Sequence, residues 1–354
     1  MAQIRRPTIS DVARAAGVSK GAVSFAINGR DGVSAETRSR ILRAADELGF
    51  TRDVRARGLS SSRAMAVALV IARPPETLGA DPFFAVFVAG VETVLSQAGF
   101  ALVMQVVPTH VSEEEAYERL AGEGRADGVF LTDLRVDDDR PAVLRRLGLP
   151  GVRIAPDIDD SAPSVVVDDR PGIRAAVEHL VALGHTRLAH VGGPATYVHG
   201  ASRRAAFDEA TDAAGLAPGV HVEADFSAEG GAAATTRLLD LPPRRRPTAV
   251  VFANDLMAAA GIAVAADRGL DVPGDLSVTG FDDTAVSAVL RPGLTTVHTD
   301  VLAWGAAAAQ TLLAAIDAGI DATDDVHLPP PHLVVRGSTA EATRPTGIPQ
   351  RERR

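Results

Sequence analysis

The chain has no cysteine, a single lysine and a single tryptophan among its 354 residues. Without cysteine, disulfide bonds, thiol nucleophiles and cysteine-based zinc sites are excluded. No run reaches 18 apolar residues, and the first ten residues are polar and basic, unlike a signal peptide. A P-loop and a His-Glu-x-x-His motif are also absent. We therefore expect a cytoplasmic protein with no membrane association, no cofactor and no metal site.

Charge is divided unevenly along the chain. Residues 1–63 carry 12 basic and 6 acidic side chains, a net charge of +6. The remaining residues carry −15 and bring the whole chain to −9. A basic N-terminal segment on an acidic body is typical of a DNA-binding module joined to a separate regulatory domain.

Residues 1–50 contain the boundary signals of three short helices. Thr8, Ser19 and Ser34 stand at N-cap positions, and Asp11 follows Thr8 at a spacing close to that of a capping box. Gly17 is suited to end the first helix in a tight turn. The second helix is predicted over residues 20–28 and the third over residues 35–48.

Apolar residues at helical spacing predict a small shared core for these helices. We expect it to contain Val12, Ala15 and Ala16 of the first helix, Val23 and Ile27 of the second, and Ile41, Ala44, Ala45 and Leu48 of the third. Two short helices joined by a glycine-containing turn form the helix-turn-helix motif, whose second helix enters the major groove of DNA. A purely structural three-helix domain is the alternative, and the basic charge favours DNA binding.

The segment from Gly17 to Gly21 also matches the Gly-x-Ser-x-Gly pattern of a nucleophile elbow. That motif requires a strand before its serine. Here a helix is predicted before Ser19, and the serine is better placed as a helix cap. We therefore predict that the chain is not an enzyme and has no catalytic residue.

Residues 8–59 resemble the N-terminus of the LacI family of bacterial transcription regulators, and the resemblance extends over nearly the whole chain. The matching motifs are Gly17-Val18-Ser19, Val23-Ser24, Asn28 and Val33-Ser34. The resemblance implies base reading by Lys20, Gly21 and Phe25 and further DNA contacts from Thr8, Ser19, Ser24 and Asn28.

Phe25 departs from the family pattern, because many members carry arginine at this position. A phenyl ring cannot make the bidentate guanine contact of arginine, but it can touch a thymine methyl group. The operator half-site is therefore expected to differ from those of better-known relatives.

Residues 51–64 correspond to the family's hinge. The resemblance implies that this segment is disordered when free and helical when two copies meet in the minor groove. Leu59 takes the place of the leucine that wedges into the central base step. Ala56 allows close approach, and Arg55 and Arg57 are placed to contact phosphate or the groove edges. A charged linker is the alternative interpretation.

Residues 65–338 are predicted to form a two-lobed domain of doubly wound parallel sheets, because strand-like runs alternate with helical stretches. Strands are predicted over residues 64–72, 100–107, 128–132, 152–155, 165–167, 188–192, 249–253 and 277–281, and helices over 84–98, 172–183 and 202–214. The resemblance implies a periplasmic-binding-protein-like body that binds the effector and dimerises. Residues 339–354 are predicted to be a disordered tail.

Polar residues follow several predicted strands, at the sheet edge where ligands bind in such folds. Asn254 and Asp282 come directly after strands, Arg203 starts a predicted helix, and Phe226 is able to stack on a sugar ring. The resemblance places these four in the effector pocket and adds His199, with Phe83 and Thr132 in the first lobe. Structural roles are the alternatives: a loop acceptor for Asp282, a surface ion pair for Arg203 and a core position for Phe226.

Together these features predict a ligand-responsive, sequence-specific DNA-binding regulator, a repressor of carbohydrate genes. We expect a homodimer on a near-palindromic double-stranded operator and a small-molecule effector, a sugar, in the cleft. Two alternatives stay open: a two-lobed solute-binding protein without a transcriptional role, and a regulator whose ligand is a corepressor.

Overall fold

The computed structural model describes residues 7–27, 31–50, 63–75, 79, 81–155 and 162–342. The chain divides into two compact units, Met1–Ala64 and Met65–Arg354, which are described separately. The sequence predictions for Asn28, Arg55, Ala56, Arg57 and Leu59 lie outside the described residues.

The N-terminal unit contains three helices, α1 (Ile9–Ala16), α2 (Lys20–Ile27) and α3 (Ala35–Glu47). The Asp11 carboxylate accepts hydrogen bonds from the backbone N–H of Thr8 at 2.9 Å and from its hydroxyl at 2.7 Å. Gly17 adopts a left-handed conformation with φ 64°. Ser19 Oγ accepts from the backbone N–H of Ala22 at 3.1 Å and so caps α2. These contacts confirm the helix signals read from the sequence.

One small core joins the three helices. It consists of Val12, Ala13, Ala16, Val23, Ala26, Ile27, Ile41, Ala44 and Ala45. Two core predictions were wrong. Ala15 is exposed, because α1 turns Val12, Ala13 and Ala16 toward its neighbours instead. Leu48 is 38% exposed, because it lies at the C-cap where α3 ends.

Two arginines of α3 satisfy carbonyl groups at the ends of the other helices. Arg38 Nη1 donates to the Ala26 carbonyl at 3.2 Å, and Arg40 Nε donates to the Ala16 carbonyl at 3.1 Å. Cationic side chains stabilise helix C-termini, where carbonyl groups lack intrahelical partners. Part of this unit's basic charge therefore holds its own helices together.

The second unit alternates strands and helices. Its elements in chain order are β1 (Ala66–Ile71), α4 (Pro82–Ala98), β2 (Ala101–Val106), α5 (His110–Gly122), β3 (Val129–Leu131), α6 (Arg140–Leu147), β4 (Gly151–Ile154), β5 (Ser164–Val166), α7 (Arg170–Ala182), β6 (Leu188–Gly192), α8 (Val198–Ala213), β7 (Val220–Glu223), α9 (Ala228–Leu239), β8 (Ala249–Phe252), α10 (Asp255–Asp267), β9 (Ser277–Asp282), α11 (Ala285–Val289), β10 (Thr295–His298), α12 (Val301–Ala318), β11 (Val326–His327) and β12 (His332–Val334).

The first lobe is a parallel sheet in the order β11-β5-β4-β3-β1-β2 with helices on both faces. Residues of β1 alternate between two cores: Val67 and Leu69 pack with residues of α4 and α12, and Ala68 and Val70 pack with residues of α5. An uninterrupted apolar strand is expected where both faces of a parallel sheet are covered.

Helix α12 is long and apolar enough to cross a membrane by length and composition alone. Its Trp304, Ala308 and Leu312 are buried in the first lobe's core. Gly305 packs so closely on the carbonyl of Phe87 in α4 that it has no room for a side chain. The apolar character of α12 is thus that of a core helix.

The second lobe has the strand order β7-β6-β8-β9-β10-β12, in which β12 alone is antiparallel to its neighbour. Its two cores separate α7 and α8 on one face from α9 and α10 on the other. The predicted doubly wound parallel sheets are confirmed. Helix α8 begins at Val198, four residues before its predicted start. Strands β7, β10, β11 and β12 were not predicted.

The chain passes between the lobes three times, after β5, after β10 and after β11. Two loops also join the lobes directly. The backbone N–H of Val136 donates to the Thr196 carbonyl at 2.9 Å, and the N–H of Val198 donates to the Leu134 carbonyl at 2.8 Å. This short antiparallel bridge links the two lobes.

The predicted disordered tail was wrong for residues 339–342, which belong to the second lobe. His179 Nε2 lies 2.9 Å from the Thr339 hydroxyl, and His185 Nε2 lies 3.0 Å from the Ala340 carbonyl. The N–H of Ala342 donates to the Leu183 carbonyl at 2.8 Å. Partners distant in sequence order this segment, so no local pattern revealed it. Residues 343–354 lie outside the described part of the chain.

Candidate ligand cavity and DNA-facing helix

A cavity lies between the lobes of the second unit. Small-molecule sites occur preferentially at such boundaries. All seven residues predicted to bind the effector line it: Phe83, Thr132, His199, Arg203, Phe226, Asn254 and Asp282. The structure thus brings together side chains from both lobes that the sequence suggested separately.

Arg203 projects from α8 and is buried. Its Nε donates to Asp169 Oδ2 at 2.7 Å and its Nη1 to the Ala253 carbonyl at 2.6 Å. The guanidinium carbon stands 3.7 Å from the centre of the Phe281 ring. The alternative of a surface ion pair is therefore wrong, because this guanidinium is held rigidly at the cavity wall.

Asp282 ends β9 and faces the same cavity. Its side chain has no hydrogen-bond partner among the described residues, unlike the neighbouring Asp283, which pairs with Arg336 at 2.6 Å. Burial raises the pKa of Asp282 well above its ordinary value, although the charge of Arg203 opposes this. A carboxyl group that faces the cavity without a protein partner is available to a ligand.

Asn254 lines the cavity, but its amide group has structural partners. Its Oδ1 accepts from the backbone N–H of Met257 at 2.9 Å and so caps α10. Its Nδ2 donates to the Phe226 carbonyl at 3.0 Å. Asn254 therefore positions Phe226. The adjacent Asp255 is also structural, since it accepts from the hydroxyls of Ser287 and Thr296 at 2.5 Å each.

An aromatic wall is formed by Phe226 and His199. The two ring centroids are 5.2 Å apart, and the Tyr197 ring stacks on His199 with a centroid distance of 5.6 Å. The Phe226 ring lies directly on Gly193, where a side chain has no room. Burial, assisted by the charge of Arg203, lowers the pKa of His199 to about 3. His199 therefore presents a neutral imidazole to the cavity.

The first lobe contributes a cluster around Arg73. Arg73 forms a bidentate pair with Asp133, at 2.6 Å for each bond, and its Nη1 donates to Asp81 at 3.1 Å. Its guanidinium carbon lies 5.3 Å from the centre of the Phe226 ring in the second lobe. Burial favours a raised pKa for Asp133, but the charge and hydrogen bonds of Arg73 outweigh it and lower the pKa.

Sequence reasoning missed Asp81, Asp133, Asp169 and Trp304 as cavity residues. Asp133 and Asp169 follow the ends of β3 and β5 closely, so the rule that identified Asn254 would also have found them. Asp81 precedes Pro82 as the N-cap of α4. Trp304 had no local signal, because α12 returns to the first lobe from the far end of the chain.

Several cavity residues have unusual backbone conformations. Asp133, Phe226 and Asp282 have φ values of 48°, 67° and 101°. Positive φ is uncommon outside glycine, and such strain concentrates at functional sites. No group of three or more His, Asp or Glu residues suited to a metal ion was found among the described residues.

In the N-terminal unit, α2 has one exposed face. Lys20, Gly21 and Phe25 are exposed and Ser24 is partly exposed, whereas Val23 and Ile27 are buried on the other side. Phe25 is 41% exposed, and a side chain at Gly32 would lie only 3.1 Å from its ring. The predicted base-reading residues thus share one accessible face.

Other predicted DNA contacts also have structural partners. Ser19 caps α2, and the Thr8 hydroxyl donates to Asp11. Helix α1, not a strand, precedes Ser19. This order of elements does not match a nucleophile elbow.

A three-helix unit with an exposed second helix, joined in one chain to a two-lobed body with an interlobe cavity, defines a ligand-binding DNA regulator. A family model described as bacterial regulatory proteins, lacI family, matches residues 8–53, and a periplasmic binding protein-like domain matches residues 177–339. The HTH-type transcriptional regulator CelR of Thermobifida fusca is 36% identical over 344 residues, covering 96% of this chain and 100% of that protein. The chain belongs to the LacI family of bacterial transcription regulators.

Solved structures show the same architecture. A complex of the transcriptional regulator CelR with cellobiose has a TM-score of 0.71 and 35% identity, covering 94% of this chain and 100% of the other. A Lac repressor dimer bound to operator and the anti-inducer ONPF has a TM-score of 0.81 and 29% identity, covering 95% and 100%.

Proposed function

We propose that this protein is a homodimeric, cytoplasmic repressor of carbohydrate genes whose operator binding is controlled by a saccharide. The observation that carries the proposal is the convergence of Arg203, Asp282 and Phe226 on one cavity between two lobes. Hydrogen-bonding groups beside an aromatic ring suit a molecule with hydroxyl groups and an apolar face. The structural relative bound to cellobiose supports this ligand class.

DNA reading is assigned to α2. Its exposed residues Lys20, Gly21 and Phe25 and the partly exposed Ser24 lie where a helix-turn-helix contacts base edges. Thr8, Ser19 and Asn28 are proposed to contact the DNA backbone. Arg55, Ala56, Arg57 and Leu59 are proposed as the minor-groove hinge.

Ligand control follows from the position of the cavity between the lobes. A saccharide that contacts Arg203 and Asp282 from the second lobe and Phe83 from the first binds best at one lobe angle. It therefore shifts the population toward that angle. A change of lobe angle that separates two hinges weakens operator binding, and coupling of this kind typically changes affinity about 5–150-fold.

Dimerisation is supported by the first lobe's edge strand and by the related Lac repressor dimer. Met104 and Val106 of β2 are 44% and 43% exposed on an unpaired sheet edge. Exposed apolar edge strands are typical of association surfaces. Light scattering on the purified protein at micromolar concentration should give the mass of a dimer.

The test uses the full chain and an operator selected from random double-stranded DNA. We expect a near-palindromic consensus and a decrease in operator affinity when cellobiose or another saccharide is added. Asp282→Ala should remove the response without lowering operator affinity, and Asp283→Ala, outside the cavity, should keep it.

Three outcomes would contradict the proposal. Selection without a consensus would remove sequence-specific binding and favour a solute-binding protein. Operator affinity that no saccharide changes would remove the sugar effector. An increase in operator affinity would reverse the sign and make the ligand a corepressor.

A further inference from the structure

The charged groups of the cavity are unequal in number. Two guanidinium groups, of Arg73 and Arg203, face four carboxyl groups, those of Asp81, Asp133, Asp169 and Asp282. A ligand that enters this cavity meets an excess of acidic groups. How many of these groups are already paired decides which ligand chemistry the cavity accepts.

All three nitrogens of the Arg73 guanidinium donate to carboxylates of the protein. Nε and Nη2 donate to the two oxygens of Asp133, and Nη1 donates to Asp81. Every guanidinium nitrogen therefore has a carboxylate partner, and the positive charge is opposed by two carboxyl groups. Because its charge is already compensated, Arg73 offers no net positive charge to a ligand phosphate.

The Arg203 guanidinium has one nitrogen left for a ligand. Nε is paired with Asp169 and Nη1 with the Ala253 carbonyl, which leaves Nη2 without a partner among the described residues. This nitrogen carries two N–H groups that can donate to ligand oxygens. Since Asp169 opposes the charge of Arg203, this group offers a directed hydrogen bond rather than a net positive site.

Two aspartates of the cavity, in contrast, have acceptor oxygens without protein partners. Asp282 has no hydrogen-bond partner among the described residues, and Asp169 Oδ1 is buried without one. The Asp169 side chain is only 2% exposed, so water reaches it poorly. A buried acceptor left unpaired is costly, and a ligand that donates to it removes that cost.

We propose that the cavity selects an uncharged saccharide and rejects sugar phosphates and sugar acids. Asp282 and Asp169 accept ligand hydroxyls, Arg203 Nη2 donates to a ligand oxygen, and Phe226 covers an apolar ring face. This inference rests on the proposed saccharide effector and adds its charge class. A phosphate or carboxylate would stand against unpaired acidic oxygens, and neither Arg73 nor Arg203, each already paired with carboxylates, would supply net positive charge to compensate.

The test is calorimetric titration of the full-length protein with matched pairs: cellobiose and cellobiose 6-phosphate, and glucose and glucose 6-phosphate. Each neutral sugar that binds should do so at least about 100-fold more tightly than its phosphate, since like-charge contacts in a buried site are strongly unfavourable. Equal or tighter binding of a phosphate would overturn the inference while leaving a saccharide-controlled repressor intact. If no sugar in the panel binds, the saccharide effector itself is wrong, and the inference falls with it.

Asp282→Asn separates charge from shape, because it keeps the size of the side chain and removes its negative charge. We expect the neutral-to-phosphate affinity ratio to fall at least about tenfold in this variant. Asp283→Asn is the matched control, since the adjacent carboxylate pairs with Arg336 and does not line the cavity. A ratio that is unchanged in Asp282→Asn, or equally changed in both variants, would contradict selection by Asp282.

Discussion

The two units of this protein are built from contacts of different range. In the N-terminal unit, caps lie within three residues of their partners, and nine mostly small side chains form the core. In the body, the cavity joins residues from Arg73 to Trp304 and depends on buried ion pairs such as Arg73–Asp133. Local contacts specify the first unit, and long-range convergence specifies the second. The comparison implies that a change in one unit can impair that unit and leave the other unit intact.

The largest expected effect is that of deleting residues 1–63. Because the body has its own cores, the truncated protein should bind saccharide as the full chain does. Specific operator affinity should fall by at least about 10³-fold, to the nonspecific level or below. Titration calorimetry and operator-binding assays on both proteins measure this. Specific DNA binding by the truncated protein would contradict the assignment of DNA binding to the N-terminal unit.

Asp133→Asn should damage the body alone. The change leaves a buried guanidinium without its main partner, and breaking such a pair typically costs about 3–5 kcal/mol. Urea unfolding should show a lower free energy of unfolding for the body. The unfolding transition of the N-terminal helices should be unchanged. Asp137→Asn, a nearby aspartate also at positive φ, serves as the control. A similar loss in both variants would point to backbone conformation and not to the ion pair.

Phe25→Ala should damage DNA reading alone. If the ring contacts a thymine methyl group, its removal should cost about 1–3 kcal/mol of specific affinity, the usual cost of one base contact. Replacing that thymine by uracil should weaken the wild-type protein similarly and add little to the variant. Leu42→Ala, another exposed apolar change in the same unit, is the control. If the losses of affinity from Phe25→Ala and from uracil add up, Phe25 does not contact the methyl group.

The smallest expected effect is a gain of stability from Asp282→Asn. Burial raises the folded-state pKa of Asp282 above its ordinary value, so its contribution to stability is greatest at low pH and is lost as pH rises through the raised pKa. The variant should therefore melt a few degrees above the wild type at neutral pH and equal it near pH 3. Melting curves across this range test the sign. A variant that is less stable at neutral pH would show that the carboxylate supports the fold.

Part of the site in the body could be predicted from the sequence. Asn254 and Asp282 were found because parallel strands place their following residues at one sheet edge, and that edge can be read from apolar runs. Arg203 was found at the start of a predicted helix, and Phe226 as an aromatic ring able to stack on a sugar. The sequence did not reveal which of these residues have structural roles and which are free to bind a ligand. Asn254 proved to hold Phe226 and cap α10, while Asp282 was left unpaired.

The sequence by itself determined the N-terminal unit and the alternation of strands and helices, because caps, turns and periodicity act between neighbouring residues. Its errors there, Ala15 and Leu48, concern which side of a short helix meets its partner and where a helix stops. Only the tertiary structure decided that Arg73, Asp81, Asp133 and Trp304 meet Arg203 and Asp282 around one cavity. Three crossings between the lobes bring them together, and the pairing of charges there depends on distances that no local pattern encodes.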